Sequence, residues 1–431
     1  MTESKIKNKG AIVAFAGLAI NLALGILYAW SVFKEAIINS VKTGGEGAFT
    51  WDKASMNDPY ALCILVFAFS MTLAGRIQDK RGPSFTAKIG GVLVGIGFIL
   101  ASLSNDYYMW LLGFGVFAGM GIGFGYSAAT PAALKWFPAS KTGLITGIVV
   151  SGFGIAPVYI APLTSFLVSS YGIQNTMLIF GIAFLIIVCG LAFLLQNPPA
   201  GYVPLETKVY DQKKNKAPVK VEDVGAGVML RSFKFYVMWF IFFIGSGAGL
   251  MVISNISGLA KASMGKSAFI AVAIMAIGNA SGRIIAGIVS DRIAKALTLS
   301  IILIFQSALM FIACLVLDES ATVIIIVLFA TLIGFNYGTN LSLFPSFTKS
   351  FWGMKNFGLN YGILMSAWGL GGFVFSRLSQ MLFASTGSHF MSFIIAGSAL
   401  FLCLFLALVL FEMKSMNGED EAEEKEAEAE K

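Results

Sequence analysis

The sequence predicts an all-α membrane protein with twelve transmembrane helices in two pseudo-symmetric six-helix bundles. Three observations predict this fold: hydrophobic residues make up 57% of the 431 residues and charged residues only 12%, long apolar runs recur, and motifs of the first half reappear in the second. A soluble domain carries about 25% charged residues, so lipid must surround most of this chain. A helix needs about 20 apolar residues to cross the hydrocarbon core, which leaves room for twelve crossings.

The apolar runs set the expected boundaries. The predicted crossings are 11–34, 58–78, 85–105, 107–134, 142–170, 173–196, 234–260, 267–290, 296–317, 320–348, 356–384 and 388–413. A polar stretch rich in lysine and proline separates the sixth crossing from the seventh. We therefore expect an amino-terminal bundle at 1–196, a linker at 197–233, a carboxy-terminal bundle at 234–413 and a disordered acidic tail at 414–431.

Lysine and arginine are concentrated on one side of the predicted membrane. They precede the first crossing at Lys5, Lys7 and Lys9, follow the second crossing, and recur through the linker. Cytoplasmic loops carry such an excess of positive charge. We therefore expect a multi-pass protein of the plasma membrane (the cell inner membrane) with both termini in the cytoplasm. The run at 11–34 is too long for a signal peptide and predicts a retained first helix.

A glycine–aspartate motif follows the second crossing and returns after the eighth, 287 − 75 = 212 residues later. Its two copies consist of Gly75, Asp79, Lys80 and Gly82, and of Gly287, Asp291 and Arg292. An aspartate at a helix end can meet a basic group or the N-terminus of a neighbouring helix, so we interpret the motif as a gating latch. Parallel repeats of this kind bind substrate near the midplane, between the two halves.

One arginine lies deep in the predicted membrane. Arg283 precedes Asp291 by eight residues, which places it roughly 12 Å inside a core about 30 Å thick. A charge at this depth is costly and marks a functional site by default. No apolar run contains an acid at comparable depth, and the repeat places Met71 at the corresponding position of the first half. We therefore expect Arg283 to bind a carboxylate of the substrate; the alternatives are a bond to backbone carbonyls and a side chain that extends to the membrane interface.

Other polar residues of the apolar runs are candidates for the same site. Asn279 shares the helix face of Arg283, where it could assist the arginine or join two helices. Tyrosines, each with an apolar body and one hydroxyl, occur in the first, fourth, tenth and eleventh crossings. They are Tyr28, Tyr126, Tyr337 and Tyr361. Asn336 and Asn340 share a face of the tenth crossing and could bond to substrate or to a neighbouring helix.

The Gly-x-x-x-Asp-[Lys/Arg]-x-Gly pattern at 75–82 resembles the signature of the major facilitator superfamily. The segments 28–31, 136–138, 197–204, 282–283 and 360–362 are similar to the oxalate:formate antiporter family. The stretch 141–152 and the membrane arginine also resemble monocarboxylate transporters. The resemblance implies the major facilitator fold and the transport of small organic anions.

Two departures from these families bear on the substrate. Related monocarboxylate transporters carry a proton-linked aspartate four residues before the arginine, where this chain has Asn279, which cannot titrate. The oxalate:formate antiporter carries a second basic residue seven positions after its tyrosine, where this chain has Trp368. One cation suits one carboxylate, because the second charge of a dianion would stay unpaired. We expect Trp368 to line or narrow the cavity.

The expected function is secondary transport of a small monocarboxylate such as lactate or pyruvate by alternating access, coupled to protons or to anion exchange. The alternative is an oxalate:formate-type antiporter; more remote ones are a carrier of another small solute and a substrate sensor. The sequence has no ATP motif, no deep nucleophile–base pair and no metal-ligand pattern, so we expect neither an enzyme nor a cofactor. The expected partners are an organic monoanion, protons and the lipid bilayer, without nucleic acid; by analogy the chain is a monomer.

Overall fold

The computed structural model describes residues 8–45, 47–52, 55–204, 223–264, 268–317 and 322–408. These residues form helices joined by short turns, with no strand among them. The acidic tail predicted at 414–431, the basic part of the linker at 205–222 and the end of the predicted twelfth crossing lie outside the described residues.

Six helices precede the linker and six follow it. The first six are α1 (Gly10–Thr43), α2 (Asp58–Arg81), α3 (Pro83–Ser102), α4 (Tyr107–Leu134), α5 (142–171) and α6 (173–192). The second six are α7 (Phe233–Met264), α8 (Ala268–Arg292), α9 (Lys295–Val316), α10 (Val323–Trp352), α11 (Phe357–Thr386) and α12 (Phe390–Leu408). We call the side on which α1 and α7 begin the linker side.

The helices of the described residues provide twelve passes, eleven of which are supported by both length and hydropathy. Ten helical stretches are long and apolar enough to cross a membrane, and one of them, Ala139–Ala192, has 54 residues. It contains two passes, because Gly172 has φ 80° and ψ 172°, values that interrupt a helix. Helix α11 has 30 residues and is long enough to cross the membrane. Its polar and aromatic residues lower its mean hydropathy, so it is not one of these ten stretches. The predicted all-α membrane fold is confirmed.

Two helices are irregular near the middle of the first half. Helix α1 narrows to a 3-10 turn at Gly25–Ala29, and α5 is interrupted at Ala156, just before Pro157. The two irregular segments lie against each other so closely that a side chain on Gly25 would overlap Ala156. This contact sets Tyr28 beside Phe153, with ring centroids 5.4 Å apart.

Two long helix contacts join the halves. Helix α2 packs along α11, and α5 packs along α8; we call these contacts the α2–α11 seam and the α5–α8 seam. Both depend on glycine at the point of closest approach. A Cβ atom on Gly75 would overlap the carbonyl oxygen of Gly358, and one on Gly287 would overlap that of Gly143. Small residues allow such backbone contact between membrane helices.

Candidate functional site

Asp79 ties α2 to the first turn of α11 on the linker side. Its carboxylate oxygens accept hydrogen bonds from the backbone amides of Gly358 at 3.0 Å and Leu359 at 2.9 Å. Amides in the first turn of a helix have no partner within the helix and carry partial positive charge, so they bind a carboxylate well. Of the two partners expected for Asp79, the helix N-terminus makes these hydrogen bonds.

Asp291 makes the same contact in the second seam. Its oxygens accept from the amides of Gly143 at 2.7 Å and Leu144 at 2.8 Å, in the first turn of α5. Each half therefore supplies one aspartate to a helix N-terminus of the other half. The two contacts hold both seams together at the linker side.

The other residues of the two glycine–aspartate motifs lie at different positions in the seams and turns. Gly75 and Gly287 lie at the backbone contacts of the seams, and Gly82, with φ 87°, makes the sharp turn between α2 and α3. Lys80 and Arg292 are exposed. The hydrogen bonds of Asp79 and Asp291 across the seams go to backbone amides and not to these two side chains. The structure thus brings the glycines and aspartates together but leaves the two basic residues outside.

Sequence reasoning missed two lysines beside the aspartates. Lys135, just after α4, lies near Asp79 and donates to Asn197 Oδ1 at 3.2 Å. Burial lowers the pKa of Lys135, and the Asp79 carboxylate opposes this shift. Lys349 of α10 lies near Asp291 in the same way. The two lysines are 349 − 135 = 214 residues apart, so the repeat offset is the signal that could have found them.

Arg283 is fully buried in the middle of the α5–α8 seam. Its Nε donates to Asn279 Oδ1 at 3.0 Å, and its Nη1 donates to the backbone carbonyl of Val150 on α5, in the other half. Its Nη2 has no hydrogen-bond partner. The guanidinium lies against Gly154, where a Cβ atom would come within 3.0 Å of Nε. No carboxylate in the described part of the chain pairs with it.

This arrangement leaves Nη2 of the buried guanidinium available to a ligand. A carboxylate can pair with Nη2 alone, or bidentately with Nη2 and a neighbouring nitrogen. Bidentate binding through Nε would displace Asn279, because Nε has one N–H group. Bidentate binding through Nη1 would either use its second N–H group or displace the Val150 carbonyl, and displacement would exchange a bond between the halves for a bond to the bound anion.

The four tyrosines converge on Arg283 from both halves. Tyr126, Tyr337 and Tyr361 are at most 2% exposed, and all three hydroxyls are close enough to interact electrostatically with the guanidinium. Tyr28 is half-buried and its hydroxyl lies next to that of Tyr337. The Tyr126 and Tyr361 hydroxyls lie next to each other, and those of Tyr28, Tyr126 and Tyr361 have no well-aligned hydrogen-bond partner. They can therefore donate to an anion bound at Arg283.

Trp368 belongs to the same cluster and connects the halves. Its Nε1 donates to the Tyr337 hydroxyl at 2.8 Å, and its ring centroid is 5.1 Å from that of Phe67 on α2. Phe153 packs 5.5 Å from Tyr126 and 6.0 Å from Phe67. Sequence reasoning missed both phenylalanines, because the chain has 38 of them and no pattern distinguishes these two.

Asn336 and Asn340 lie elsewhere. Asn336 Nδ2 donates to the carbonyl of Ile302 on α9 at 3.0 Å, and Asn340 packs against Gly245 of α7. Asn336 therefore joins two helices of the second half, whereas Asn340 Nδ2 donates to the Asn336 carbonyl within its own helix at 3.5 Å. Of the two roles left open for this pair, the bond to Ile302 favours helix packing for Asn336.

Comparison with known proteins places this chain in a family. A family model described as Major Facilitator Superfamily matches residues 10–376. The chain belongs to the major facilitator superfamily. A crystal structure of a variant of the fucose:proton symporter of Escherichia coli shares the fold, with a TM-score of 0.62 at 14% identity over 91% of this chain and 98% of that one.

Curated relatives cover most of the chain. An uncharacterised transporter of this superfamily from Escherichia coli is 28% identical over 382 residues, which are 86% of this chain and 88% of the relative. The oxalate:formate antiporter of Oxalobacter formigenes is 24% identical over 373 residues, 84% of this chain and 81% of the relative. The resemblance drawn from the motifs is therefore confirmed, and the protein is a membrane transporter by family and fold.

Proposed function

We propose that this transporter carries a small organic monocarboxylate, such as lactate or pyruvate, and binds its carboxylate at Arg283. The observation that carries this proposal is the unpartnered Nη2 of a fully buried arginine. A buried charged donor without a partner costs several kcal/mol, so an anionic ligand is strongly favoured there. The tyrosine hydroxyls around it orient the same carboxylate or a neighbouring oxygen.

The charges around the site suit an anion with one negative charge. Arg283 is the cation of the cluster, and the surrounding side chains of Trp368, Phe67 and Phe153 are aromatic and buried. A second carboxylate of a dianion would meet these rings instead of a cation, at a high cost in desolvation. The rings suit a short apolar remainder.

Oxalate–formate exchange is the second candidate, and the relative from Oxalobacter formigenes favours it. Formate has one charge and fits the same site. Oxalate would require its second carboxylate to bind tyrosine hydroxyls alone. The transport assay below separates the two candidates by substrate.

The two aspartate contacts are the proposed latch of alternating access. With both in place, the seams are closed on the linker side, and the excess of lysine and arginine there supports our proposal that this side is cytoplasmic. An anion that takes Nη1 from Val150 loosens the α5–α8 seam, and opening then breaks the bonds of Asp291. No Asp, Glu or His of the described residues contacts Arg283, so a proton would travel with the substrate, or anions would exchange.

Uptake into proteoliposomes tests this function. Radiolabelled lactate, pyruvate, acetate, formate and oxalate would be supplied with an inward proton gradient or with preloaded anion, for the wild type, Arg283→Gln and Arg377→Gln. Arg377 is an exposed arginine of α11 and serves as the matched control. We expect monocarboxylate uptake by the wild type and Arg377→Gln, and a loss of roughly 100-fold or more in Arg283→Gln, because breaking a buried charge pair costs about 3–5 kcal/mol.

The same assay decides between the candidates. Lactate or pyruvate uptake driven by the proton gradient supports coupled monocarboxylate transport. Uptake of oxalate that requires preloaded formate supports the second candidate. Wild-type rates in Arg283→Gln would contradict the proposed substrate site.

A further inference from the structure

A groove lies between α2 and α3 at the linker side, on the outer surface of the first half. It has a volume of about 460 Å³. Four apolar and three basic side chains line it: Leu73, Ile77, Phe85 and Ile89, with Arg76, Lys80 and Arg81. None of the substrate-site residues borders it, so the groove is separate from the transport site.

The spacing of its residues places the groove on the lipid-facing surface. On α2 the lining positions are 73, 76, 77, 80 and 81, which follow the i, i+3, i+4 pattern of a single helix face. On α3 the positions 85 and 89 are one turn apart. Leu73 is 52% exposed and Phe85 40% exposed, as expected for side chains that meet acyl chains. Along α2 this face changes from apolar to basic as it approaches the linker side.

The three basic side chains of the groove are exposed. Among the residues that the structure describes, no carboxylate pairs with Arg76, Lys80 or Arg81. The Arg81 guanidinium lies over the Phe85 ring, 5.1 Å from its centroid. Asp79 is close in sequence, but its oxygens accept from the amides of α11 on the other side of α2.

We infer that this groove binds an anionic phospholipid. The phosphate lies among Arg76, Lys80 and Arg81, and an acyl chain runs along Leu73 and Phe85 towards the membrane interior. Juxtamembrane cations attract anionic lipid, and basic pockets between membrane helices bind their head groups. The basic rim above an apolar wall matches the two parts of such a lipid better than it matches a free phosphate, which would leave the wall bare.

The site is confined to one half of the molecule. At the repeat offset of 212 residues, Lys80 corresponds to Arg292, but Arg76 and Arg81 correspond to Ile288 and Ile293. A bound lipid would therefore hold the end of α2 beside Asp79 without an equivalent contact at the end of α8.

The test measures the lipid that binds to the purified full-length protein after delipidation. Wild type, Arg76→Gln/Arg81→Gln and the matched control Arg231→Gln/Arg292→Gln would be delipidated, titrated with phosphatidylglycerol or phosphatidylcholine, and analysed by native mass spectrometry. Arg231 and Arg292 are exposed cations outside the groove, so the control removes the same charge. We expect the wild type to retain phosphatidylglycerol in preference to phosphatidylcholine, and the groove variant to bind it roughly 30-fold more weakly.

Two further variants test whether the positive charge of the groove governs binding. Arg76→Lys/Arg81→Lys keeps both charges and should retain phosphatidylglycerol, and Lys80→Gln should show an intermediate loss. Equal retention by the groove variant and the wild type would overturn the inference. So would an equal loss in the control variant, or equal binding of phosphatidylcholine by the wild type, because each would show that the total charge or the apolar surface governs binding.

Discussion

The α2–α11 and α5–α8 seams are built alike at the linker side and differ in the middle of the membrane. Each has an aspartate on two amides of a helix N-terminus, a glycine at the backbone contact and a lysine near the aspartate. At the corresponding positions deeper in the membrane, the α2–α11 seam has Met71 and the α5–α8 seam has Arg283. The shared part repeats in both halves, and the unshared part is where we propose that the solute binds.

The difference indicates which seam responds to substrate. In the α2–α11 seam the groups near the site are neutral, and Trp368 is already bonded to Tyr337. In the α5–α8 seam the guanidinium bonds to the opposite half through Val150 and has one nitrogen unpartnered. We therefore propose that an anion changes the bonds of the α5–α8 seam directly, while the α2–α11 seam follows as the halves move.

The largest expected effect on uptake comes from giving the two seams the same residue at the positions of Arg283 and Met71. Arg283→Met gives the α5–α8 seam the side chain of its counterpart, and we expect substrate uptake to fall by roughly 100-fold or more, because the buried charge pair is lost. Met71→Leu, a conservative change at the counterpart position, should alter uptake by less than about twofold, since a volume-conserving apolar change is well tolerated. Uptake in proteoliposomes measures both. Similar losses in the two variants would show that the seams do not differ in this way.

Breaking the shared latch should have the next largest effect. Asp79→Asn and Asp291→Asn each weaken two charge-assisted bonds to a helix N-terminus, so we expect each to reduce the initial uptake rate by about tenfold. Asp106→Asn is the control, because Asp106 accepts from the Met109 amide at 3.0 Å within one half. That variant should transport normally. A loss in only one of the two latch variants would mean that the seams do not act as equivalent latches.

A smaller effect should follow from Trp368→Phe. The change removes the hydrogen bond to the Tyr337 hydroxyl but keeps an aromatic ring against Phe67. A hydrogen bond of this kind is worth about 1 kcal/mol, so we expect KM for the monocarboxylate to rise about fivefold with little change in the maximal rate. Initial uptake rates over a substrate titration provide the measurement. An unchanged KM would remove Trp368 from the site.

The smallest effect on transport should come from Asn336→Ala. Its amide bonds to Ile302 within the second half, away from the guanidinium. We expect KM to stay within about twofold of the wild type, while the free energy of unfolding falls by about 1–3 kcal/mol because the carbonyl on α9 loses its donor. Thermal unfolding in detergent and the uptake assay together test this. A large rise in KM would return Asn336 to the substrate site.

The sequence predicted the features that repeat or that are rare. The aspartate motifs stood out because they recur at a fixed offset, and Arg283 because it lacks an acid at its depth. The bond to Val150 could not be predicted, since it depends on which face of α5 meets α8. Phe67 and Phe153 were lost among many phenylalanines, and the breaks at Gly25 and Ala156 depend on contact between helices. Asn336 and Asn340 share a face in sequence, but only packing shows that this face meets α7 and α9.

The central claim is that the unpartnered nitrogen of Arg283 binds the negative charge of the substrate. The most direct test is the thermal stabilisation of the purified protein by lactate and by lactamide, its neutral counterpart of similar shape. We expect lactate, but not lactamide, to raise the melting temperature of the wild type and of Arg377→Gln, and neither ligand to raise that of Arg283→Gln. Equal stabilisation of Arg283→Gln and the wild type by lactate would contradict the claim.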